Sequence, residues 1–153
     1  MDTRRLDFES LMAELAGDAQ PWTGLPSDTA MGHIHLQVAD ISAAQQFYLN
    51  VLGFGHILSI PTASFISAGG YHHHIGMNVW AGVGVPPPPE DAARLISYEI
   101  LLPDAAALAT VLEQVQAADI EVREQADGWV VRDPSKIEIF LRAARHSSLH
   151  TVG

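Results

Sequence analysis

The feature that most restricts the fold of this chain is an order of elements that occurs twice. Residues 31–39 alternate in type, with His33, His35 and Gln37 on one side and Ile34, Leu36 and Val38 on the other, the two-residue period of a strand. After Asp40, Ser42 is placed to cap a helix running to about Leu52, in which Phe47, Tyr48, Val51 and Leu52 form the apolar stripe and Gly53 supplies a left-handed stop. Strands are expected at 55–60, at 62–67 after the break at Pro61, and at 71–80 after the Gly69-Gly70 turn. The succession then returns: a strand at 94–102, a helix at 104–118 with Leu108, Val111, Leu112 and Val115 inward, and strands at 120–124, 128–132 and 136–141. A βαβββ unit cannot cover its own sheet, so two copies are expected to pack into one curved body around a shared cleft, in the α+β class.

The boundaries follow from this order. The duplicated domain spans 30–142, with 30–81 as the first unit, 82–93 as a stiff crossover carrying Pro86-Pro87-Pro88-Pro89, and 94–142 as the second unit. Residues 1–29 read as a short amphipathic helix over 6–16, with Leu6, Phe8, Leu11, Met12 and Leu15 near helical spacing and Gly17 at its end. An extended linker, Pro21-Trp22-Thr23-Gly24-Leu25-Pro26, follows and is pinned by its one tryptophan. Residues 143–153 lack periodicity and read as a flexible tail.

Composition removes several chemistries. The chain has no cysteine, which excludes disulfides, thiolate nucleophiles and cysteine-bound zinc and leaves imidazole and carboxylate as side-chain metal ligands. A net charge of -10 with eight scattered Lys and Arg residues repels phosphate backbones, so no nucleic-acid partner is expected. No apolar run approaches the roughly 20 residues that cross a bilayer, and the charged N-terminus does not resemble a secretory signal. A cytoplasmic protein with a small-molecule partner is expected, and a homodimer is the usual arrangement for such a chain.

Three groups of residues carry chemistry: His33 with His35, the run His72-His73-His74, and the carboxylates Glu99 and Glu138. In strand geometry His33 and His35 project together, while His73 points away from His72 and His74. Histidines that only satisfy hydrogen bonds in a polar cleft are one reading of the first pair. Metal ligation is the other, since two imidazoles and a carboxylate leave open positions suited to ferrous iron and oxygen. The facing of Glu138 is ambiguous within its strand.

The stretch Met31-Gly32-His33-Ile34-His35-Leu36, with Phe47-Tyr48 and Val51-Leu52-Gly53-Phe54, resembles the opening of vicinal oxygen chelate proteins, the superfamily of glyoxalases, bleomycin resistance proteins and extradiol dioxygenases. Tyr71-His72-His73-His74-Ile75-Gly76-Met77-Asn78-Val79-Trp80 is similar to the C-terminal half of two-module catechol 2,3-dioxygenase-like proteins, and the likeness spans about residues 6 to 142.

The resemblance implies metal ligands on the first, fifth and last strands and an assisting histidine on the fourth. His33 matches the first-strand ligand and His73 the assisting, catalytic histidine, while the fifth-strand point falls on Ser97 or Tyr98 and the last-strand point on Phe140. Glu99 lies two residues after Ser97 and Glu138 two before Phe140. With those strands as antiparallel neighbours both displacements run in one sense, and His33 or His35 with Glu99 and Glu138 would form a shifted site.

The cofactor implied is a divalent metal, ferrous iron or manganese, with zinc or nickel as further candidates. Tyr71, His72, His74, Trp80 and Tyr98 are the candidate substrate-binding residues, and Trp129 a further stacking wall. The resemblance admits three roles: a metal-dependent dioxygenase- or glyoxalase-like enzyme for a small aromatic or carbonyl substrate, a metal-free protein that sequesters drugs, or a scaffold without chemistry of its own.

Overall fold

The computed structural model describes residues 5–16 and 21–144. The chain forms two compact units, residues 1–31 and 32–153. In the first, α1 (Phe8–Ala13) is capped by Asp7, whose carboxylate accepts the Ser10 N–H at 3.0 Å. This helix is shorter than the apolar pattern suggests, and Gly17 lies outside the described residues. Its stripe of Leu6, Phe8, Leu11, Met12 and Leu15 is exposed, as is Trp22.

The second unit contains β1 (Ile34–Gln37), α2 (Ile41–Gln45) continued by a π-helical turn (Gln46–Val51), β2 (Gly55–Ile60), β3 (Ala63–Ser67) and β4 (Ile75–Asn78). There follow β5 (Ser97–Leu102), α3 (Ala105–Ala117), β6 (Arg123–Gln125), β7 (Gly128–Arg132) and β8 (Glu138–Ala143). Two four-stranded sheets result, in the orders β1-β4-β3-β2 and β5-β8-β7-β6, so the βαβββ duplication is present in an α+β fold. In each sheet the first strand pairs in parallel with the last and the other pairs are antiparallel. Ile34 stands opposite Ile75 and Ser97 opposite Glu138, the same distance along the chain in both halves.

The core lies where the helices meet the sheets, and in the first sheet all four residues of β4 are buried. Leu36, Val38, Phe47, Tyr48, Val51, Ile66 and Met77 of the first half join Val111, Val115, Val131, Ile139 and Leu141 of the second in one buried cluster. Between the halves runs a buried chain of hydroxyls: Tyr98 donates to the Tyr48 hydroxyl at 2.8 Å, and Tyr48 donates to Asp133 Oδ2 at 2.8 Å. Asp133 also accepts the Ile137 N–H at 2.8 Å. Burial pushes both phenols and the Asp133 carboxyl up, the last against the pull of its three donors, the Ile137 and Ser135 N–H groups and the Tyr48 hydroxyl.

Several boundaries differ from expectation for local reasons. Asp40, not Ser42, caps α2, accepting N–H bonds from Ser42 and Ala43 at 2.7 and 3.2 Å. The fourth strand begins at Ile75 because Gly69 and Gly70, both at positive φ, turn the chain and leave residues 71–74 as a bend. The last strand begins two residues late and reaches Ala143, which had been counted in the tail; residues 145–153 lie outside the described ones. Its late start follows from Lys136, which takes φ +66° in the turn closed by Asp133 N–H to the Ile137 carbonyl. A left-handed L-residue costs about 1–2 kcal/mol, partly offset by the lower unfolded-state entropy of a non-glycine residue. Lys136→Gly is therefore expected to raise stability by roughly 0.5–1 kcal/mol, seen as a higher urea midpoint at unchanged slope.

Candidate metal centre

Parallel pairing builds the site. When two strands run side by side in the same direction, the residues that precede them emerge at the same end of the sheet. Ile34 N–H bonds to the His74 carbonyl at 3.0 Å, which sets His33 beside the bend that carries His72 and His73. The His33 and His73 ring centroids are 4.5 Å apart, His72 and His73 4.6 Å, and His33 and His72 6.3 Å. Each ring can offer one nitrogen, and these nitrogens all lie within 4.8 Å of one another. Ions of the zinc type hold imidazole nitrogens about 2.0–2.1 Å from the metal, a separation small side-chain shifts would reach.

The three rings differ in environment. His33 and His72 are exposed, whereas His73 is only 7% exposed and packs edge-on against Phe65 at 5.2 Å. Its Nδ1 has no hydrogen-bond partner among the described residues. Burial, and after it the neighbouring imidazoles led by His33, hold His73 below the ordinary histidine value and keep the ring neutral, the form that ligates metals. A buried imidazole with one unpartnered nitrogen, clustered with two exposed imidazoles whose nitrogens lie within 4.8 Å of its own, fits a divalent ion.

The other expected residues are distributed around or away from this cluster. His35 lies flat over Gly76, where a Cβ would come within 3.2 Å of two ring atoms, and its ring sits 5.2 Å from Trp80 and 6.0 Å from Phe65. His74 is committed to the turn, its Nδ1 accepting the Ala68 N–H at 3.2 Å. Tyr71 packs on His72 at 4.1 Å and on His74 at 4.7 Å, and Trp80 is exposed with its indole N–H 3.4 Å from Thr62 Oγ1. Tyr98 and Trp129 pack toward the core, the former tied to Tyr48.

Residues 30–139 match the family described as the Glyoxalase/Bleomycin resistance protein/Dioxygenase superfamily. The chain belongs to that superfamily. It is 44% identical over 136 residues to a catechol-2,3-dioxygenase of Bacillus subtilis (strain 168), a match that covers 88% of this chain and 47% of the relative. This superfamily member thus spans about half the length of the curated relative it matches. A glyoxalase/dioxygenase from Nostoc punctiforme superposes with a TM-score of 0.65 at 15% identity, covering 83% of this chain and 99% of that one. A lactoylglutathione lyase from Agrobacterium tumefaciens gives 0.57 at 20% identity, over 78% and 96%. These likenesses carry the fold. No helix among the described residues is long and apolar enough to cross a membrane.

For a superfamily member the carboxylates are placed unexpectedly. β5 and β8 run parallel, not antiparallel, so the displacements of Glu99 and Glu138 oppose each other: Glu99 stands opposite Phe140 and Glu138 opposite Ser97. Both acids are held by arginines, Glu99 by Arg142 at 3.3 Å and Glu138 by Arg123 and Arg132 at 2.6 and 2.8 Å. Among the described residues His33, His72 and His73 form the one group of three or more His or carboxylate side chains close enough to share an ion, and Glu99, Glu138 and His35 are not in it.

The Arg132 hydrogen bond, followed by Arg123, holds Glu138 below the usual carboxylate range. The stability this gives is present above the ordinary value and lost as pH falls through the lowered one. Glu138→Gln is accordingly expected to lower the urea midpoint at pH 7, with a deficit that shrinks as the pH falls below the ordinary carboxylate value.

Sequence reasoning did not see His72 as a ligand or Gly76 as the floor beneath His35. A glycine inside a buried strand, where it weakens the element, was the available signal for the second.

Proposed function

We propose that this chain is a metal-dependent protein of the dioxygenase or glyoxalase kind acting on a small aromatic or carbonyl substrate. The observation that carries this reading is the convergence of three imidazoles, His33, His72 and the buried His73, each offering a nitrogen within 4.8 Å of the others. The name of the Bacillus relative supports an aromatic diol as the first substrate to try. A bound divalent ion would polarise substrate oxygens and stabilise the charge that develops on them. The chain's own residues supply the rest: His33, His72 and His73 hold the ion, while Tyr71, His35 and Trp80 offer flat surfaces beside it for a ring.

The test is elemental analysis of the purified chain, as isolated and after anaerobic loading with ferrous iron, manganese or zinc, followed by assay on catechols under air and on carbonyl substrates. About one ion per chain, absent from a folded His33→Ala variant, together with turnover, is the expected result. A chain that takes up no ion under any loading overturns the metal-dependent reading and makes this a metal-free binding protein.

A further inference from the structure

We infer that the ion is held by His33, His72 and His73 as an all-imidazole set, with no carboxylate of this chain taking part, and that the site therefore selects zinc-like ions over manganese or magnesium. The inference rests on the metal-dependent reading above and deepens it by excluding Glu99 and Glu138 from the ligand set and by naming the class of ion.

Four observations support it. First, the buried Nδ1 of His73 is stranded, and a buried polar atom without a partner costs about 1–3 kcal/mol unless something binds it. The same ring offers a nitrogen within 4.8 Å of nitrogens of His33 and His72, so a metal ion is a partner that this cluster can take. Second, among the described residues the histidines outside the cluster are engaged: His74 Nδ1 with Ala68, His56 Nε2 with Ser59 at 2.8 Å, and His35 in its stack over Gly76.

Third, each carboxylate suggested by the sequence would have to abandon an arginine. Drawing Glu138 toward an ion would leave Arg123 and Arg132, now 2.6 and 2.8 Å from the same oxygen, without their shared partner. Fourth, the two acids are two rungs apart on parallel strands and displaced in opposite senses, so no single shift of register presents both to one ion.

The donor set then decides the class of ion. Imidazole suits zinc, nickel, copper and iron, whereas manganese and magnesium are held chiefly by carboxylate and carbonyl oxygen. Three neutral ligands also leave the ion its full charge of two, where a carboxylate would cancel part of it, so substrate oxygens and bound water are polarised more strongly.

The experiment is a titration of the metal-free full chain with cobalt(II), followed by visible absorption, with zinc and manganese as competitors. It is run on the unsubstituted protein, on His72→Ala, and on Glu99→Gln and Glu138→Gln. His72 is exposed, so its variant keeps the fold, which circular dichroism checks. The expected result is about one ion per chain, displaced by zinc at concentrations at least ~100-fold below those of manganese. His72→Ala should weaken binding ~100-fold or more, and the two glutamine variants should bind within about twofold of the unsubstituted chain. Binding that survives His72→Ala but is lost in a glutamine variant overturns the all-imidazole set and leaves the metal-dependent function standing. An unsubstituted chain that binds neither cobalt nor zinc overturns both.

Discussion

Replacing His73 with leucine is expected to stabilise the metal-free protein by about 1 kcal/mol and, in the same variant, to eliminate metal retention and turnover. The stability gain follows from removing a polar atom that the fold buries without a partner, worth about 1–3 kcal/mol, less the cost of fitting a side chain of similar size but different shape against Phe65. The loss of metal follows from taking away one of three converging ligands, an effect above the ~10- to 100-fold seen for groups that only support a ligand. The two effects have opposite signs, which separates a ligand from a structural residue. Urea unfolding of the metal-free protein and metal content after dialysis measure them; a less stable variant that still retains metal would show that His73 only packs.

Tyr48→Phe is expected to destabilise the fold by about 2–4 kcal/mol, more than any other single-atom change considered. Tyr48 is fully buried, and its hydroxyl stands in the middle of a chain, accepting from Tyr98 and donating to Asp133. Its removal takes the acceptor from the half-buried Tyr98 phenol and one of three donors from the buried Asp133 carboxylate. Tyr98→Phe removes only the outer donor and leaves Tyr48 bonded to Asp133, so a loss nearer 1 kcal/mol is expected there. Because the Tyr48 bond favours the ionised form of Asp133, the deficit of Tyr48→Phe should grow from acid to neutral pH, as the carboxyl that burial pushes up becomes charged. Equal losses in the two variants, or a deficit independent of pH, would contradict a chain centred on Tyr48.

Much of the architecture could be read from local pattern, because residue type alternates wherever one face of an element is buried. The β2 and β7 strands fall between the turn and break residues that were expected to bound them, and Gly53 at φ +80° ends its helix as a left-handed residue should. The candidate metal centre was only half legible. A two-residue period sorts His72, His73 and His74 onto opposite faces, but it holds only while the chain is a strand, and these residues sit in a bend. Their meeting with His33 depends on the parallel pairing of β1 with β4, which no local window contains. The same blindness misplaced the carboxylates: their arginine partners look scattered along the chain and are gathered only when β5, β8, β7 and β6 lie side by side.

That parallel pairing also bears on how the protein comes into being. β1 leaves the ribosome before its partner exists and must wait for the whole of α2, β2 and β3 before β4 can receive it, and β5 waits in the same way for β8. Closing so long a loop is slow compared with forming the β2-β3 hairpin, so the antiparallel part of each sheet is expected to assemble first and the parallel strand to dock last. In that interval one edge of β4, with all four of its residues destined for burial, stands unpaired. Chaperone demand and losses to aggregation during synthesis should therefore track mutations that delay the docking of β1, even those that leave the finished structure unchanged.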